Sequence, residues 1–246
     1  MASSLKGRPF RLTGWTEERY RVFEKFRERW TNAINPLVLR MEGVDPSYLT
    51  WTSLVLALAA FYLLMEAGSD SRGSLGIVAG IVIILLAGVL DGLDGALARH
   101  QGTDGPYGDF LDHTIDRVVD VGLLVAIGMN SAFVDDPSSG YIAGLLTLFG
   151  SYMGTQAQSV GLDRIYGGFS RADRMVLTLV ALIVAAWQAH AGISGLEVAE
   201  LHEAGEWFLL GNSELNGMTF ALAVSAWGGV YTFLVRFAKT RVGLLS

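Results

Sequence analysis

Between Asp91 and Asp116 the chain reads DGLDGALARHQGTDGPYGDFLDHTID, a dense run of carboxylates set among glycines. Asp91 and Asp94 stand three apart and Asp112 and Asp116 four apart, so on helices each pair projects from a single face. Two antiparallel helices joined by the short stretch between them would converge four carboxylates. Unpaired, those charges repel one another, and hard divalent cations with a preference for oxygen ligands are the natural compensation. Mg²⁺ is the default ion and Mn²⁺ the alternative. Gly95 and Ala98 follow Asp94 and keep that helix end thin, and Gly108, one turn before Asp112, offers a similar opening on the second helix. Arg99 is placed to present a fixed positive charge to a phosphate.

The elements that must hold these residues are membrane helices. The chain of 246 residues is 51% hydrophobic and 17% charged, an apolar excess and a charge deficit beyond those of ordinary soluble domains. Apolar stretches near 48–66, 75–97, 107–129, 140–160, 174–191 and 215–237 each approach the roughly 20 residues a bilayer-spanning helix needs. The expected fold is therefore all-α and polytopic, with six transmembrane helices over residues 47–246. Carboxylates inside such spans cost about 2.5 to 3.5 kcal/mol each near the bilayer centre, so they normally face a polar cavity and serve function.

Residues 1–46 form an N-terminal cytoplasmic or interfacial segment with no apolar core of the signal-peptide kind, which predicts no cleavable leader. Over 16–40, Tyr20, Phe23, Phe26, Trp30, Ile34, Leu37 and Val38 recur at helical spacing among charged pairs, predicting an amphipathic helix along the inner membrane face. Pro36 and Pro46 are expected to break or kink it before the first span. With both termini cytoplasmic, Arg72 is the one basic residue placed outside, which satisfies the positive-inside rule. The active site then lies on the cytoplasmic side of the cell membrane. A net charge of -6 argues against a nucleic-acid binder, and the lack of cysteine excludes disulfides and thiolate chemistry.

The run from Asp91 to Asp116 matches Asp-x2-Asp-Gly-x2-Ala-Arg-x8-Gly-x3-Asp-x3-Asp at all eight fixed positions. Chance agreement at ordinary residue frequencies is roughly 10⁻¹⁰ per start site. The pattern resembles the signature of the CDP-alcohol phosphatidyltransferase family, as do the six-span layout and the inner-face helix. The resemblance implies that Asp91, Asp94 and Asp112 ligate metal, with Asp116 as a ligand or as the base that activates the acceptor hydroxyl. It implies that Gly95, Ala98, Arg99 and Gly108 form the CDP pocket. It also implies two Mg²⁺ or Mn²⁺ ions, displacement at the lipid-side phosphorus with release of CMP, and a homodimer.

On the acceptor side, the segment after the fourth span carries Arg164, Arg171 and Arg174, and arginine suits bidentate binding of an acceptor phosphate. Ordinary positive-inside anchoring is the competing reading. Arg-Ala-Asp-Arg at 171–174 resembles the Arg-x-Glu-Arg of members that use inositol phosphate, archaeal archaetidylinositol phosphate synthases among them, with Asp173 in place of Glu. That likeness implies L-myo-inositol 1-phosphate as acceptor and CDP-archaeol as donor, CDP-diacylglycerol being the ester counterpart. Glycerol 3-phosphate or serine are the alternative acceptors. In DPSYLT at 45–50, Ser47 stands where relatives carry Asn, and it is expected to cap the first span.

Other residues read as structural. Asp109 is taken to cap or solvate the start of its helix; Asp120, which continues the face of Gly108, Asp112 and Asp116, is read as structural, with support of the ligands as the alternative. His100 and His113 are given packing or interface roles, the tryptophans interfacial anchoring, and Gly228 and Gly229 close helix packing. Residues 192–213 are expected to form a solvated outer cap, helical and amphipathic. A cation or small-anion transporter is the alternative of another class, and it leaves Gly95, Ala98, Arg99 and Gly108 without a purpose.

Overall fold

The computed structural model describes residues 34–163, 165, 167–198 and 203–245. Most of the predicted inner-face helix and Arg164 lie outside them. The described part is mostly helical, with six long helices: α1 (Pro46–Met65), α2 (Ser71–Gln101), α3 (Pro106–Gly128), α4 (Ser138–Ser159), α5 (Arg171–Ala191) and, after a short connecting segment, α7 (Gly217–Leu245). Four of them, α1, α2, α5 and α7, are long and apolar enough to cross a membrane. Helices α3 and α4 have comparable lengths of 23 and 22 residues. Five charged residues between Asp109 and Asp120 lower the apolar content of α3.

Local chemistry sets the boundaries. Pro46 occupies the first turn of α1, where its missing N–H costs nothing, and Asp45 caps that helix by accepting from Ser47 N at 2.9 Å. The cap expected at Ser47 is thus two residues late, because Ser47 supplies the donor. Asp70 caps α2 through Gly73 N at 2.7 Å. That helix ends at Gly102, whose φ of 66° is the left-handed conformation that favours glycine. Its 31 residues rise roughly 46 Å, well beyond a hydrocarbon core of about 30 Å, so the stretch carrying Asp91 to Arg99 is its final part.

The long helices close into a ring in which α1 packs on α2, α2 on α5, α5 on α7, α7 on α4, α4 on α3, and α3 back on α1. Consecutive α2 and α3 hardly touch. The tight hairpin at 102–105 makes them neighbours in sequence while they splay apart in space. Close approaches elsewhere need glycine: a Cβ on Gly229 would meet Leu146 O at 2.7 Å, which seats α7 against α4 as expected. Gly228 instead receives the ring of Phe169, from the loop before α5.

One apolar core of Leu64, Ile77, Leu124, Ile127, Leu182 and Leu222, with their neighbours, ties α1, α2, α3, α5 and α7 together. A second joins Ile34 and Val38 of the helical stretch 34–40 to Leu49, Leu93 and Leu97, beside the acidic motif. Pro36 lies within that helical stretch, so among the described residues the break falls at 41–45. Gln101 pins this turn by donating to Glu42 O at 3.0 Å and Val44 O at 2.9 Å.

The segment between α5 and α7 differs from the single outer cap helix expected. Its described part holds a two-residue ladder, β1 (Leu196–Glu197) against β2 (Glu214–Leu215), and one short helix, α6 (Glu203–Phe208). The rings of Trp207 and Trp227 lie 4.6 Å apart, tilted by 46°, and Trp227 Nε1 donates to Phe208 O at 3.0 Å. The Asp135 carboxylate accepts from Ser213 N and Oγ, and these donors hold it below its usual pKa.

Candidate active site

The splay between α2 and α3 creates the site. Asp91 on α2 and Asp112 and Asp116 on α3 reach across it, each offering a carboxylate oxygen within 4.8 Å of the others, and all three are half-buried. This donor set fits a hard divalent cation. A further observation points the same way: Asp116 Oδ1 is buried and has no hydrogen-bond partner. Arg171 Nη2 lies 2.7 Å from that oxygen as an ion pair, without hydrogen-bond alignment. A buried carboxylate oxygen so placed retains the capacity to accept a cation or a proton.

Asp94 lies outside the converging triad. It is buried, at 6% exposure, and accepts from Thr50 Oγ1 on α1 and from Gly95 N, both at 2.5 Å. The first turn of α1 thereby grips the acidic end of α2. Around this turn the small residues behave as their types suggest. A Cβ on Gly108 would meet nothing within 4 Å, and one on Gly95 would meet Arg99 Nη1 at 3.3 Å. Arg99 therefore folds back over Gly95 with its guanidinium exposed, and Ala98 lies half-buried one residue before it.

The arginine-bearing side of the site is built by α5. Ser170 caps it and forms a reciprocal capping box with Asp173: Ser170 N donates to Asp173 Oδ2 at 3.0 Å, and Asp173 N donates to Ser170 Oγ at 3.2 Å. Asp173, noted above only as a departure from Arg-x-Glu-Arg, thus sets the first turn that carries Arg171 and Arg174. The Ser-x-x-Asp spacing at 170–173 was the legible signal for it. The positive end of the helix dipole adds to the arginines in the same turn.

Arg171 faces three carboxylates: Asp116 at 2.7 Å, Asp120 at 3.0 Å and Asp91 at 3.9 Å. Arg174 is buried and donates to Asp120 Oδ2 at 2.6 Å. Asp120 itself is 3% exposed and also faces Arg117 Nη1 at 3.4 Å. Asp120 is therefore the buried centre of an ion-pair cluster beside the triad, and its signal was the helical face shared with Asp112 and Asp116. Arg117 Nη1 also donates to Ser151 Oγ on α4 at 2.6 Å, and nothing in sequence singled out Thr50, Arg117 or Ser151. Asp109 is exposed in the first turn of α3, as expected of a residue complementing the dipole. His100 pairs with Glu42, and His113 hydrogen-bonds Asp109 O at 2.8 Å, so neither belongs to the triad.

Beside the acids lies a cavity of about 480 Å³. Asp91, Asp116 and Arg171 line it together with apolar side chains such as Phe61, Leu85, Leu123 and Leu179. A space bounded by carboxylates, a guanidinium and aliphatic surface can hold an amphiphile whose phosphate lies near the acids.

A family profile for CDP-alcohol phosphatidyltransferase matches residues 44–210. The archaetidylinositol phosphate synthase of Methanothermobacter thermautotrophicus is 32% identical over 162 residues, covering 64% of this chain and 75% of that one. Among solved structures, the phosphatidylinositol phosphate synthase of Mycobacterium tuberculosis with CDP-DAG bound aligns with a TM-score of 0.62 at 22% identity, over 86% of this chain and 94% of that one. The same protein in complex with manganese and citrate aligns at 0.63 and 22%, over 83% and 87%. These two likenesses are of fold.

Proposed function

This chain belongs to the CDP-alcohol phosphatidyltransferase family, and on that premise we propose that it transfers the phosphatidyl or archaetidyl group of a CDP-activated lipid to L-myo-inositol 1-phosphate, releasing CMP. The class makes it a transferase of phospholipid biosynthesis rather than a transporter. The observation that carries the acceptor is the 2.7 Å approach of Arg171 to Asp116, which sets a phosphate-binding cation beside the carboxylate best placed to take a proton. An inositol-phosphate acceptor agrees with the name of the archaeal relative, an archaetidylinositol phosphate synthase. Serine, which has no phosphate, would leave Arg171 and Arg174 without a partner from the substrate, and glycerol 3-phosphate is the second reading.

In this proposal Asp91, Asp112 and Asp116 hold the cations, and Asp94, steadied by Thr50, serves as a further ligand. Two Mg²⁺ or Mn²⁺ ions, when bound, would neutralise charge on the phosphates and on the leaving CMP. The residues of the chain do the rest. Gly95, Ala98 and Gly108 leave room for the cytidine diphosphate, and Arg99 offers it a positive charge at the rim. Arg171 and Arg174, with Arg164 proposed from sequence alone, bind the acceptor phosphate. Asp116 takes the proton of the acceptor hydroxyl, whose oxygen then attacks the lipid-side phosphorus while the bond to the CMP oxygen breaks.

The donor is CDP-archaeol or CDP-diacylglycerol, and its apolar part would lie along surfaces like those lining the cavity. The placement proposed is a multi-pass protein of the cell membrane, with six spans over 47–246, an interfacial segment over 1–46, the site and both termini cytoplasmic, and the enzyme acting as a homodimer. The decisive experiment supplies the purified protein with either CDP-lipid and measures CMP release against inositol 1-phosphate, glycerol 3-phosphate and serine. Release with inositol 1-phosphate, abolished in Asp116→Asn, supports the reading; release with serine alone overturns it.

A further inference from the structure

Backbones of α3 and α5 hardly approach each other across the ring, and side chains span the gap. The bridge is a single carboxylate. Asp120 on α3 accepts from Arg171 Nε at 3.0 Å and from Arg174 Nη2 at 2.6 Å, both on α5, and from Arg117 Nη1 at 3.4 Å on its own helix. Arg117 Nη1 also donates to Ser151 Oγ on α4 at 2.6 Å. Both oxygens of Asp120 are thus occupied by guanidiniums from two helices, and the third arginine is tied to a third helix.

Charge decides what this cluster is for. Three guanidiniums meet one buried carboxylate, and Asp120 is the carboxylate partner of Arg174 and Arg117 among the described residues. Arg171 also faces Asp116 and Asp91, but those belong to the cation-binding triad, where they cannot neutralise a guanidinium and a cation together. A largely buried cluster with such an excess calls for an anion. A phosphate monoester, at about −1.5 to −2 near pH 7, supplies the matching charge, and its oxygens suit the forked donors of arginine. A free alcohol or a zwitterionic amino acid does not. Were the cluster only structural, packed apolar side chains would serve as well or better.

We infer that Asp120 is a positioning residue that gathers Arg117, Arg171 and Arg174 into a site for a phosphate monoester, so that it selects a phosphorylated acceptor over its unphosphorylated counterpart. This rests on the acceptor reading of Arg171 and Arg174 given above, and it adds Arg117 to the set. Asp120 touches no reacting atom in this role. It fixes the guanidiniums through hydrogen bonds and holds Arg171 at the cavity wall, turned toward Asp116 and Asp91.

The test is steady-state CMP release by the full-length protein in detergent with Mn²⁺, comparing L-myo-inositol 1-phosphate with myo-inositol as acceptors. Asp120→Asn keeps the size and removes the charge. It should raise KM for the phosphorylated acceptor at least tenfold, leave KM for the CDP-lipid within about twofold, and reduce the preference for phosphorylated over free inositol. Arg117→Gln, at a half-exposed side chain less critical to folding, should shift the same parameter in the same direction. An unchanged acceptor KM and preference in both variants would overturn the inference, as would an equal rise in both KM values. If Asp120→Asn does not fold, Arg117→Gln decides alone. A wild-type protein that prefers the free alcohol refutes the acceptor reading itself; a wild-type preference for the phosphate that survives both substitutions refutes only the role of Asp120.

Discussion

Thr50 Oγ1 donates to Asp94 Oδ2 at 2.5 Å, joining the first turn of α1 to the acidic end of α2 across 44 residues of chain. Both side chains are buried, so the bond is shielded from water and its loss would leave a carboxylate oxygen without a donor. It places Asp94 beside the triad of Asp91, Asp112 and Asp116 without making it part of that triad.

Replacing Thr50 by valine, which keeps the shape and removes the hydroxyl, should cost about 1 to 3 kcal/mol of stability and lower activity. Thr50→Ser should restore both. Thermal unfolding in detergent and CMP release, read side by side, check this; equal behaviour of the valine and serine variants would show that the hydroxyl is idle.

Removal of divalent cations should abolish CMP release, and readdition of Mg²⁺ or Mn²⁺ should restore it. Asp116→Asn should lose about 10² to 10⁴ in kcat as expected for a lost general base, with cation binding weakened as well. Asp109→Asn, at an exposed position on the same helix, should retain activity within about twofold. Activity assays in chelator-treated protein, with added ion titrated back, distinguish these outcomes.

Gly108 has open space where a Cβ would stand, so Gly108→Val should fold. The added bulk should nevertheless obstruct the nucleotide, raising KM for the CDP-lipid about tenfold or more with little change in the acceptor KM. Unchanged kinetics would remove Gly108 from the CDP pocket.

Gly228 carries the ring of Phe169, and Thr232 Oγ1 accepts from Phe169 N at 2.8 Å, so the loop leading to α5 is anchored on α7. Gly228→Ala should push the ring away, lowering stability by about 1 to 3 kcal/mol through overpacking. Because Arg171 follows this loop directly, the acceptor KM should rise with it. Unfolding midpoints and kinetics of Gly228→Ala against Gly43→Ala, at an open turn position, check the expectation.

Much of this protein was legible in its residues. The spacing of Asp91, Asp94, Asp112 and Asp116 disclosed paired carboxylates on two helix faces, because a helix repeats every three to four residues whatever surrounds it. Apolar run lengths disclosed the long helices for the same local reason. Caps were partly legible: the box at Ser170 and Asp173 follows a known spacing, whereas Asp45 rather than Ser47 caps α1, because Pro46 takes the first helical position.

What sequence by itself determined is which residue types are available and how they are spaced: paired carboxylates, small residues beside them, and arginines further along the chain. Which of these meet was decided only by the tertiary structure. Asp94 pairs with Thr50 while Asp116 faces Arg171, and Asp120 collects arginines from α3 and α5, because the ring order sets α1 against both halves of the motif and α5 against α2. Helical periodicity is local and can be read along the chain, but partners 44 or 54 residues apart are chosen by how whole helices pack.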